Sequence, residues 1–375
     1  MIKGLYITSY DLKDKYNGVS KKINYQIECM RTNGFYVEIL DYNSIPKSLI
    51  TKTGLFIERL LGYSYRLNYL INSFLLKSDK ELCDTDFLYI RKDFCNNNQI
   101  YYLNKIRKQN PKLKILVEYP TFPYDNEIHG RRKIITLPID KECRKKLKKS
   151  INRAVTFSDD SLLFGVKCLN ISNAIDYNKV TLKNHKNHSG INLIAVALFD
   201  RFHGYDRLIK AMGENIDIVK TNNICFHLVG DGYAIKEYKS LISTYNLESF
   251  VILHGKMFGQ DLDEIYNISD IAVDNMGRHR VGCYYNSSLK GKEYGAKGLP
   301  IVSGVKTELD NLDEDFYYRV PADDSLIDLN EIIKFYHKMY DNKDPILIAK
   351  HIRETTNKYF NFEVAFKPVI DYIKE

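Results

Sequence analysis

The sequence predicts an α/β protein built from two doubly wound domains, each with a parallel sheet. Along all 375 residues, short apolar segments rich in Val, Ile and Leu alternate with helix-length segments. A polar stretch interrupts this alternation near the middle of the chain, and a second series then begins. Gly-containing turns follow the first strand of each series, where doubly wound domains bind their ligands. These observations place the expected sites at the carboxyl ends of the strands.

The first series covers residues 1–175. A helix is predicted from Ser20 to Asn33, because an Asn-Gly pair is a typical helix end. Residues Thr51–Lys77 are predicted to be helical around a break at Gly62 and to cover the sheet. A membrane-dipping or acceptor-side element is the alternative for this interval. The predicted strands are Ile2–Thr8, Tyr36–Asp41, Phe87–Ile90, Leu113–Glu118 and Ala154–Ser158.

The second series covers residues 176–360. Residues Asn173–Ser189 are rich in Asn, Lys and His and lack strong periodicity, so they are predicted to form a hinge between the domains. The strands predicted after this hinge are Ile191–Leu198, Ile224–Val229, Phe250–Leu253, Ile271–Asp274 and Leu299–Ser303.

The most informative segment runs from Gly277 to Pro300. It follows a short, β-branched strand at Asp270–Asp274, and its polar loop leads into a predicted helix at Leu289–Lys297. Gly298 is predicted to end this helix before the next strand begins. The segment is therefore part of a strand–loop–helix–strand unit.

Four side chains gather at the start of this helix. Ser287 or Ser288 can cap it, and Lys290 adds a positive charge to a helix N-terminus that already favours anions. Glu293 lies one turn further along, where a carboxylate can accept hydrogen bonds from sugar hydroxyls. A phosphate site beside a sugar-binding carboxylate predicts binding of a nucleotide sugar.

At these residues the chain resembles the GT-B glycosyltransferases, in particular the large family 4 of nucleotide-sugar-dependent enzymes. The phrase Glu293-Tyr-Gly-Ala-Lys-Gly-Leu-Pro300 matches the second half of the paired-Glu motif of that family. The resemblance implies that Glu293 holds the ribose of the donor. The first Glu of the motif contacts the transferred sugar in the family, and it falls on Tyr285 in this chain.

The resemblance also implies how the chain is organised. Ile171-Ser-Asn-Ala-Ile-Asp176 resembles the phrase that ends the first domain in this family. We therefore expect an N-terminal, acceptor-side Rossmann-like domain at 1–175 and a nucleotide-sugar-binding Rossmann-like domain at 176–360, facing each other across a cleft. Family precedent places a last helix, at 361–375, back on the first domain.

The loop after the first strand of the second series is expected to bind the donor pyrophosphate. When the family motif is aligned on Gly204, its phosphate-gripping Arg and Lys fall on Leu198 and His203. Arg201, His203 or Arg207 can substitute for these cations, because a guanidinium can hold phosphate oxygens bidentately. The alternative for Arg207 is a helix-surface residue paired with the preceding Asp.

Three other loops supply expected donor contacts. Gly18 stands where relatives often have two glycines that approach the donor phosphates. Gly230 follows a strand whose end lies near the nucleotide in the family, and a tight turn explains it almost as well. Arg278, His279 and Arg280 can compensate for the missing cations, or they can belong to a solvated loop.

Candidate catalytic residues follow Glu118 on the acceptor side. Retaining relatives often carry a His at this strand end, where this chain has Pro120. Asp125 and Glu127 are the nearby carboxylates, and one of them near the reactive carbon can act as a general base. Turn formation is the alternative for this segment.

The net charge of +8 resides in one window, Arg131–Arg153, where ten basic residues outnumber two acidic ones. Apolar residues recur there at helical spacing, namely Cys143, Leu147, Ile151 and Ala154. The window is predicted to be a basic amphipathic helix that lies on anionic lipid or on a lipid-linked acceptor, or a plain solvated helix. The residues expected on this face are Lys145, Lys146, Lys148 and Lys149. Aromatic residues do not interleave with the lysines, so nucleic acid is not an expected partner.

Composition and residue spacing argue against disulfides, metals, cofactors and membrane-spanning helices. The seven cysteines are scattered without a Cys-x-x-Cys pair, which indicates a reducing compartment and argues against zinc or disulfides. No carboxylate cluster has metal-ligand spacing, so neither a metal nor a cofactor is expected besides the nucleotide-sugar substrate. No apolar run reaches the ~18–20 residues of a spanning helix. The protein is expected to be cytoplasmic, or peripheral at the inner face of the cell membrane.

The function predicted from these residues and from the resemblance is sugar transfer. The donor is a nucleoside-diphosphate sugar, with UDP expected first, and the acceptor is a hydroxyl of a glycan or lipid-linked oligosaccharide. Family precedent implies retention of configuration and a role in bacterial surface polysaccharide (capsule) synthesis. A non-catalytic GT-B partner of another transferase is the alternative, and a GT-B epimerase is the third reading.

Overall fold

The computed structural model describes residues 1–14, 17–61 and 64–375. The chain forms two compact units, one of Met1–Ile171 with Ala365–Glu375 and one of Ser172–Val364. Each unit contains one sheet whose neighbouring strands are parallel, apart from a short antiparallel edge in the first. Two parallel-sheet α/β units are therefore present, and the predicted fold class is confirmed.

The first sheet has seven strands in the order β2-β1-β3-β4-β5-β7-β6. All five strands predicted in this half are present, whereas β6 and β7 were not predicted because they are short and partly exposed. The strands are β1 (Lys3–Ile7), β2 (Tyr36–Leu40), β3 (Phe87–Arg91), β4 (Lys114–Tyr119), β5 (Arg153–Thr156), β6 (Leu162–Leu163) and β7 (Val166–Asn170).

Both faces of this sheet are covered. Leu5 and Ile7 of β1 belong to one apolar cluster, while Tyr6 between them belongs to another. Successive side chains of a strand point to opposite faces, so helices must pack on both sides. The helices before the second unit are α1 (Gly18–Thr32), α2 (Leu49–Leu61), α3 (Tyr65–Leu75), α4 (Asp79–Cys83), α5 (Asn97–Gln109), α6 (Arg131–Ile134) and α7 (Thr136–Arg144).

Helix α1 begins at a side-chain cap. The Asn17 side chain accepts hydrogen bonds from the backbone N–H groups of Val19 and Ser20. Its φ of −81° and ψ of 116° are those of extended backbone. The capping bonds satisfy N–H groups that have no partner within the helix, and they favour an extended residue at this position.

Helices α2 and α3 differ in how deeply their apolar side chains are buried, although one helical interval was predicted for both. Helix α3 covers the sheet with Leu67, Leu70 and Phe74, all buried. Helix α2 leaves apolar side chains exposed, including Phe56 at 64%. The predicted break at Gly62 lies outside the described residues. No helix among the described residues combines the length and apolarity needed to cross a membrane.

The basic window does not form one amphipathic helix, so that prediction is wrong. Helix α7 ends at Arg144, a 3-10 turn follows at Leu147–Lys149, and β5 begins at Arg153. Ala154 pairs with neighbours on both β4 and β7, and this pairing requires extended backbone. The apolar spacing was nevertheless informative about burial, because Cys143, Leu147, Ile151 and Ala154 are all buried.

The second sheet has six strands in the order β10-β9-β8-β11-β12-β13. All five predicted strands are present, and β13 is an additional edge strand. β9 continues through Gly230 to Gly232, where a loop was predicted, because these residues pair with the end of β8. The strands are β8 (Ile191–Phe199), β9 (Ile224–Gly232), β10 (Val251–Gly255), β11 (Ile271–Val273), β12 (Ile301–Ser303) and β13 (Tyr317–Arg319).

The last helix packs against the first sheet. The ring of Phe366 lies 5.9 Å from that of Tyr89, centroid to centroid, and Lys114 Nζ donates a 3.1 Å hydrogen bond to the Tyr372 carbonyl. The helices from the second unit onward are α8 (Tyr205–Glu214), α9 (Ile216–Thr221), α10 (Ile235–Thr244), α11 (Gly259–Asn267), α12 (Leu289–Lys297), α13 (Leu329–Tyr340), α14 (Pro345–Phe360) and α15 (Phe362–Lys374).

Residues 173–189 are fastened to the second unit rather than forming a free hinge. Backbone N–H groups of Ile175, Lys183 and Lys186 donate to carbonyls of that unit. Arg353 Nη1 donates a 2.8 Å hydrogen bond to the Val180 carbonyl. These contacts supply the order that the sequence pattern lacks, so the predicted hinge is corrected to a bound segment.

Candidate functional site

The strand order of the second sheet creates a crevice at one point. From β8 the chain proceeds to β9 on one side, and β11 lies on the other side. In a doubly wound sheet, ligands bind outside the carboxyl ends of the strands where the order reverses. The loops that follow β8 and β11, residues 200–204 and 274–288, meet at this switch point.

Two glycines let these loops touch through their backbones. Gly204 has a φ of +69°, and a Cβ there would lie 2.5 Å from the backbone nitrogen of Gly277. The Met276 N–H donates a 2.7 Å hydrogen bond to the His203 carbonyl. A side chain at Gly204 would be strained by its φ and would separate the loops.

His203 is buried in this crevice as a neutral imidazole. The Asp200 N–H donates a 2.9 Å hydrogen bond to His203 Nδ1, so the proton of the neutral ring is on Nε2. Burial, together with the charges of Lys290 and Arg278, lowers the pKa of His203 to about 2. At the position of the family Lys, the chain therefore presents an uncharged N–H donor.

Helix α12 starts at the same crevice and matches the predicted bounds, Leu289–Lys297. Ser288 is the capping residue, with its Oγ accepting from the Gly291 N–H and donating a 2.7 Å hydrogen bond to Asp274 Oδ1. Gly298 ends the helix with a φ of +78°, as predicted. The helix start therefore points at the switch point.

Lys290 extends from this helix start into the crevice. Its Nζ donates to Asn275 Oδ1 at 2.9 Å and to the Tyr205 hydroxyl at 3.3 Å. Burial lowers the pKa of Lys290 to about 8, against the opposing charge of Asp274. The ammonium is thus held by neutral polar partners and lies 3.8 Å from Asp274 Oδ1.

Arg278 is a second cation beside the crevice, and it is one of the three loop residues expected from the sequence to compensate for the missing Arg and Lys. Its guanidinium lies 4.4 Å from the centroid of the Phe202 ring, and its charge lowers the pKa of both Lys290 and His203. These shifts show that Lys290 and His203 lie close enough to the guanidinium for their charged forms to be repelled by it. An anion between them would relieve this repulsion.

Glu293 lies one turn deeper in α12, beside Tyr266 of α11. The Tyr266 hydroxyl donates a 3.2 Å hydrogen bond to Glu293 Oε1, and burial raises the pKa of the carboxyl above its usual value. Within residues 64–375, Oε2 has no hydrogen-bond partner and Lys290 forms no ion pair with Glu293. The two side chains therefore do not pair with each other on the helix surface.

The position of the missing family Glu is occupied by Tyr285. This residue forms an isolated parallel bridge with Lys306, and Lys306 Nζ lies 5.9 Å from its ring centroid. Its side chain is part-buried. An aromatic ring therefore stands where a sugar-contacting carboxylate was expected.

Arg207 and Arg280 hold the loops together. Arg207 is buried, and its guanidinium donates to the carbonyls of Ser325, Met276 and Pro321. Arg280 forms a bidentate pair with Asp206 at 2.7 and 2.9 Å. The suggestions that Arg207 is a surface residue and that it pairs with Asp206 are both wrong. This geometry favours structural roles for the two arginines.

The remaining predicted donor residues have varied surroundings. Arg201 is exposed, and Ser287 Oγ accepts a 2.8 Å hydrogen bond from the Asn173 N–H. Gly230 has a φ of +134°, and a Cβ there would lie 1.9 Å from the Ala197 carbonyl oxygen. The glycine is thus required for β8 and β9 to pair. Donor roles for these residues remain predictions.

In the first unit, Gly18 opens α1 and a Cβ there would meet no atom within 4 Å.

On the acceptor side, Asp125 is paired with Arg144 at 2.7 and 2.9 Å, and this partner lowers the pKa of Asp125. Such pairing favours a structural role over the predicted catalytic one. Glu127 lines a cavity of about 250 Å³ together with Lys92 and neighbouring residues. The lysines of the proposed acceptor or membrane face, Lys145, Lys146, Lys148 and Lys149, are all exposed.

A buried network around Glu118 was missed in the sequence. Glu118 is fully buried at the end of β4, pairs with Arg91, and accepts hydrogen bonds from Tyr89 and Gln26. Burial alone would raise its pKa, but the charges of Arg91 and Lys22 outweigh that effect and lower it. The partners of this β4 residue lie on α1 and β3, far away in the sequence, so local sequence carried no signal.

Comparison with known proteins supports the fold over the whole chain. Sucrose-phosphate synthase from Thermosynechococcus elongatus superposes with a TM-score of 0.66 at 14% identity, covering 100% of this chain and 99% of that one. Anabaena Alr3699/HepE in complex with UDP gives 0.62 at 13%, and the lipopolysaccharide outer core galactosyltransferase WaaB gives 0.61 at 12%, each covering 100% of both chains. The chain therefore has the GT-B fold of glycosyltransferases.

Sequence comparison alone shows no family. No protein-family model matches the chain. The DNA mismatch repair protein MutL of Dictyoglomus turgidum (strain DSM 6724 / Z-1310) is 26% identical over 204 residues, which is 50% of this chain and 32% of that protein. The chain thus spans about a third of this curated relative, and the match assigns no function.

Proposed function

We propose that this protein is a glycosyltransferase that moves a sugar from a UDP-sugar to a hydroxyl of a glycan or lipid-linked acceptor. One observation carries the proposal. At the switch point of the second sheet, α12 directs its N-terminus and Lys290 toward the two loops that carry Arg278 and His203, and it holds Glu293 one turn away. Structures of the same fold contain UDP or UDP-glucose in Anabaena HepE.

The diphosphate of the donor fits the start of α12. The first N–H groups of a helix lack intrahelical partners, and the Ser288 hydroxyl accepts only one of them, from Gly291. Lys290 and Arg278 supply positive charge, and His203 Nε2–H supplies a neutral donor. Such a set stabilises charge that develops on a leaving diphosphate. Part-burial strengthens each of these interactions.

The ribose fits Glu293. Tyr266 holds Oε1 in place, which leaves Oε2 to accept from a sugar hydroxyl. A carboxylate oriented by a buried neighbour loses less side-chain freedom on binding. The three-residue spacing along one helix places Lys290 and Glu293 at neighbouring positions, suited to two groups of the same nucleotide.

In the proposed reaction the acceptor oxygen forms a bond to the anomeric carbon, and the bond from that carbon to the diphosphate oxygen breaks. The acceptor proton leaves with the departing diphosphate, whose charge is stabilised by Lys290 and Arg278. Family precedent favours retention of configuration. Glu127, which lines a cavity beside Lys92, is the remaining carboxylate candidate on the acceptor side.

We further propose that the acceptor is delivered at the inner face of a bacterial membrane, during surface polysaccharide synthesis. Helix α2 exposes Phe56 and Leu60, which line a cavity of about 340 Å³ with Arg59, Arg131 and Arg132. Exposed apolar side chains next to arginines suit the boundary of an anionic membrane. This surface supplements the lysines at 145–149.

A non-catalytic role is the second candidate. It is favoured by Tyr285 at the position of the sugar-contacting Glu, and by the pairing of Arg280 with carboxylates. Such a partner would bind UDP-sugar and release no sugar from it.

The test combines binding and turnover. Calorimetry with UDP is expected to give a dissociation constant that Lys290→Ala and Glu293→Gln weaken. Slow hydrolysis of a UDP-sugar to UDP and free sugar is then expected for the enzyme and absent for a non-catalytic partner. Absence of UDP binding by the unmodified chain would reject both candidates.

A further inference from the structure

Two histidines and an aspartate meet at the amino ends of β8 and β11, at the end of the second sheet opposite the crevice. His185 and His188 lie in the segment that precedes β8, and Asp270 directly precedes β11. One potential ligand atom from each lies within 4.8 Å of the other two. Because Asp270 stands at the amino end of β11, this cluster is separated from the crevice at the carboxyl ends by the length of the strand.

Asp270 is held rigidly. Its carboxylate Oδ2 accepts a 2.8 Å hydrogen bond from the Asn192 N–H, and its backbone carbonyl accepts one of 2.9 Å from the Tyr340 hydroxyl. The residue is only 1% exposed. Its other oxygen, Oδ1, lies 3.2 Å from His188 Nε2. One carboxylate oxygen is thus committed to the fold and the other faces the histidines.

The two imidazoles are half-buried, and three of their nitrogen atoms are buried without hydrogen-bond partners in the part of the chain that the structure describes. His185 Nδ1 is buried and has no hydrogen bond among the described residues, and neither nitrogen of His188 has a hydrogen bond of good geometry. The two rings lie 5.8 Å apart with an interplanar angle of 56°. Buried polar atoms without partners are uncommon in native proteins, and an ion is one established reason for them.

Lys183 also faces the cluster. Its ammonium donates a 2.6 Å hydrogen bond to the Ser269 carbonyl. Burial lowers its pKa to about 8, against the opposing charge of Asp270. The hydrogen bond to Ser269 holds the ammonium in place, and no ion pair joins it to Asp270 among the described residues.

We propose that His185, His188 and Asp270 bind one Zn²⁺ ion, with water in the fourth position. Two neutral imidazoles and one carboxylate are ligands that zinc accepts in tetrahedral sites, at about 2.0–2.2 Å. The ligand atoms lie within 4.8 Å of one another, so binding requires the half-buried His185 ring to move closer to the other two ligands. The ion holds residues 185–188 against the amino end of β11. This role is structural and independent of the proposed sugar transfer.

The test uses the full-length chain without a histidine tag, stripped with a chelator and titrated with zinc chloride by calorimetry. We expect one equivalent of Zn²⁺ to bind, with affinity at least about tenfold weaker in His185→Ala and in His188→Ala. Cobalt(II) in place of zinc is expected to give the visible absorption of a tetrahedral site in the unmodified chain and not in the His185 and His188 variants. UDP affinity is expected to be the same with and without zinc.

A matched control is His337→Ala. His337 is exposed on α13 and its Nδ1 lies 3.0 Å from Asp341 Oδ1, so it offers a histidine–carboxylate pair without a third ligand. This variant is expected to bind zinc as the unmodified chain does. His185→Ala changes a half-buried loop residue, whereas Asp270→Asn would disturb the bond to Asn192. The proposal is overturned if the stripped chain binds no zinc equivalent, or if both histidine variants retain full affinity.

Discussion

The hydroxyl of Tyr266 donates a 3.2 Å hydrogen bond to Glu293 Oε1, joining α11 to α12 beside the crevice of the second sheet. Tyr266 is fully buried, so the bond is shielded from water. It orients the carboxylate that we assign to the donor ribose. Residues that never touch the ligand can therefore control its affinity.

Replacing Tyr266 by Phe tests this relationship. The ring stays and only the hydroxyl is lost, so the free energy of unfolding should fall by about 0.5–1.5 kcal/mol. UDP affinity should fall by about two- to tenfold, because Glu293 becomes free to rotate. Calorimetry provides the measurement. Tyr233→Phe, at a residue that is 83% exposed, is the control and should change neither quantity.

Replacing Glu293 or Lys290 itself should weaken UDP binding more than replacing Tyr266 does. Glu293→Gln and Lys290→Ala each remove a charge-assisted bond to the nucleotide, which corresponds to about 1.5–3 kcal/mol, or ten- to a hundredfold in affinity. The controls are Glu331→Gln and Lys334→Ala, which break an exposed ion pair on α13. Affinity in both site variants equal to that of the controls would locate the donor elsewhere.

The affinity for UDP should depend on pH through Lys290. Because the pKa of Lys290 in the free protein is about 8, its ammonium is present below that pH and is lost as the pH rises further. A bound diphosphate raises this pKa, so affinity should fall by up to about tenfold per pH unit above 8. His203 stays neutral across this range, since its pKa is lowered to about 2.

Calorimetry between pH 7 and 9.5 measures this dependence. In Lys290→Arg the guanidinium keeps its charge, since its pKa exceeds about 12, and the decline should disappear. A flat profile in the unmodified chain would exclude Lys290 from the diphosphate site.

Gly204→Ala should destabilise the second unit. The new Cβ would lie 2.5 Å from the backbone nitrogen of Gly277, at a φ of +69°. We expect a loss of about 1–3 kcal/mol in the free energy of unfolding, measured by chemical denaturation. The control is Gly255→Ala, where φ is +72° but a Cβ meets nothing within 4 Å. Equal losses in the two variants would show that contact between the loops contributes nothing.

Membrane binding should depend on α2. Phe56 is 64% and Leu60 is 44% exposed, so replacing both by Ser should leave the fold intact. Binding to anionic vesicles in a sedimentation assay should fall by about tenfold or more, because each buried apolar side chain contributes roughly 1.5–3 kcal/mol. Leu347→Ser, at an exposed residue of the second unit, is the control.

Ionic strength distinguishes the apolar contribution of α2 to membrane binding from the contribution of the arginines and lysines. High ionic strength should weaken the arginine and lysine contribution, since the Debye length falls from about 10 Å at 0.1 M to about 3 Å at 1 M. Equal binding of the unmodified chain to neutral and anionic vesicles would rule out the charged face.

Local sequence determined the regular elements of this protein. The strand at Ile271–Val273 and the helix at Leu289–Lys297 are specified by an apolar β-branched run, a Ser cap and a terminal Gly. These signals act over a few residues, so they are readable without the fold. For the same reason the start of α12 and its Lys290 and Glu293 could be identified as a candidate site.

Tertiary structure alone decided which charges are available to a ligand. Arg207 donates to Ser325, Arg280 pairs with Asp206 and Asp324, and Asp125 pairs with Arg144, all through contacts that span 19 to 118 residues of sequence. It also decided that His185, His188 and Asp270 meet. The physical reason is that composition and spacing report which groups exist, whereas the free energy of an ion pair or a metal site depends on distances and burial that only the packed chain sets.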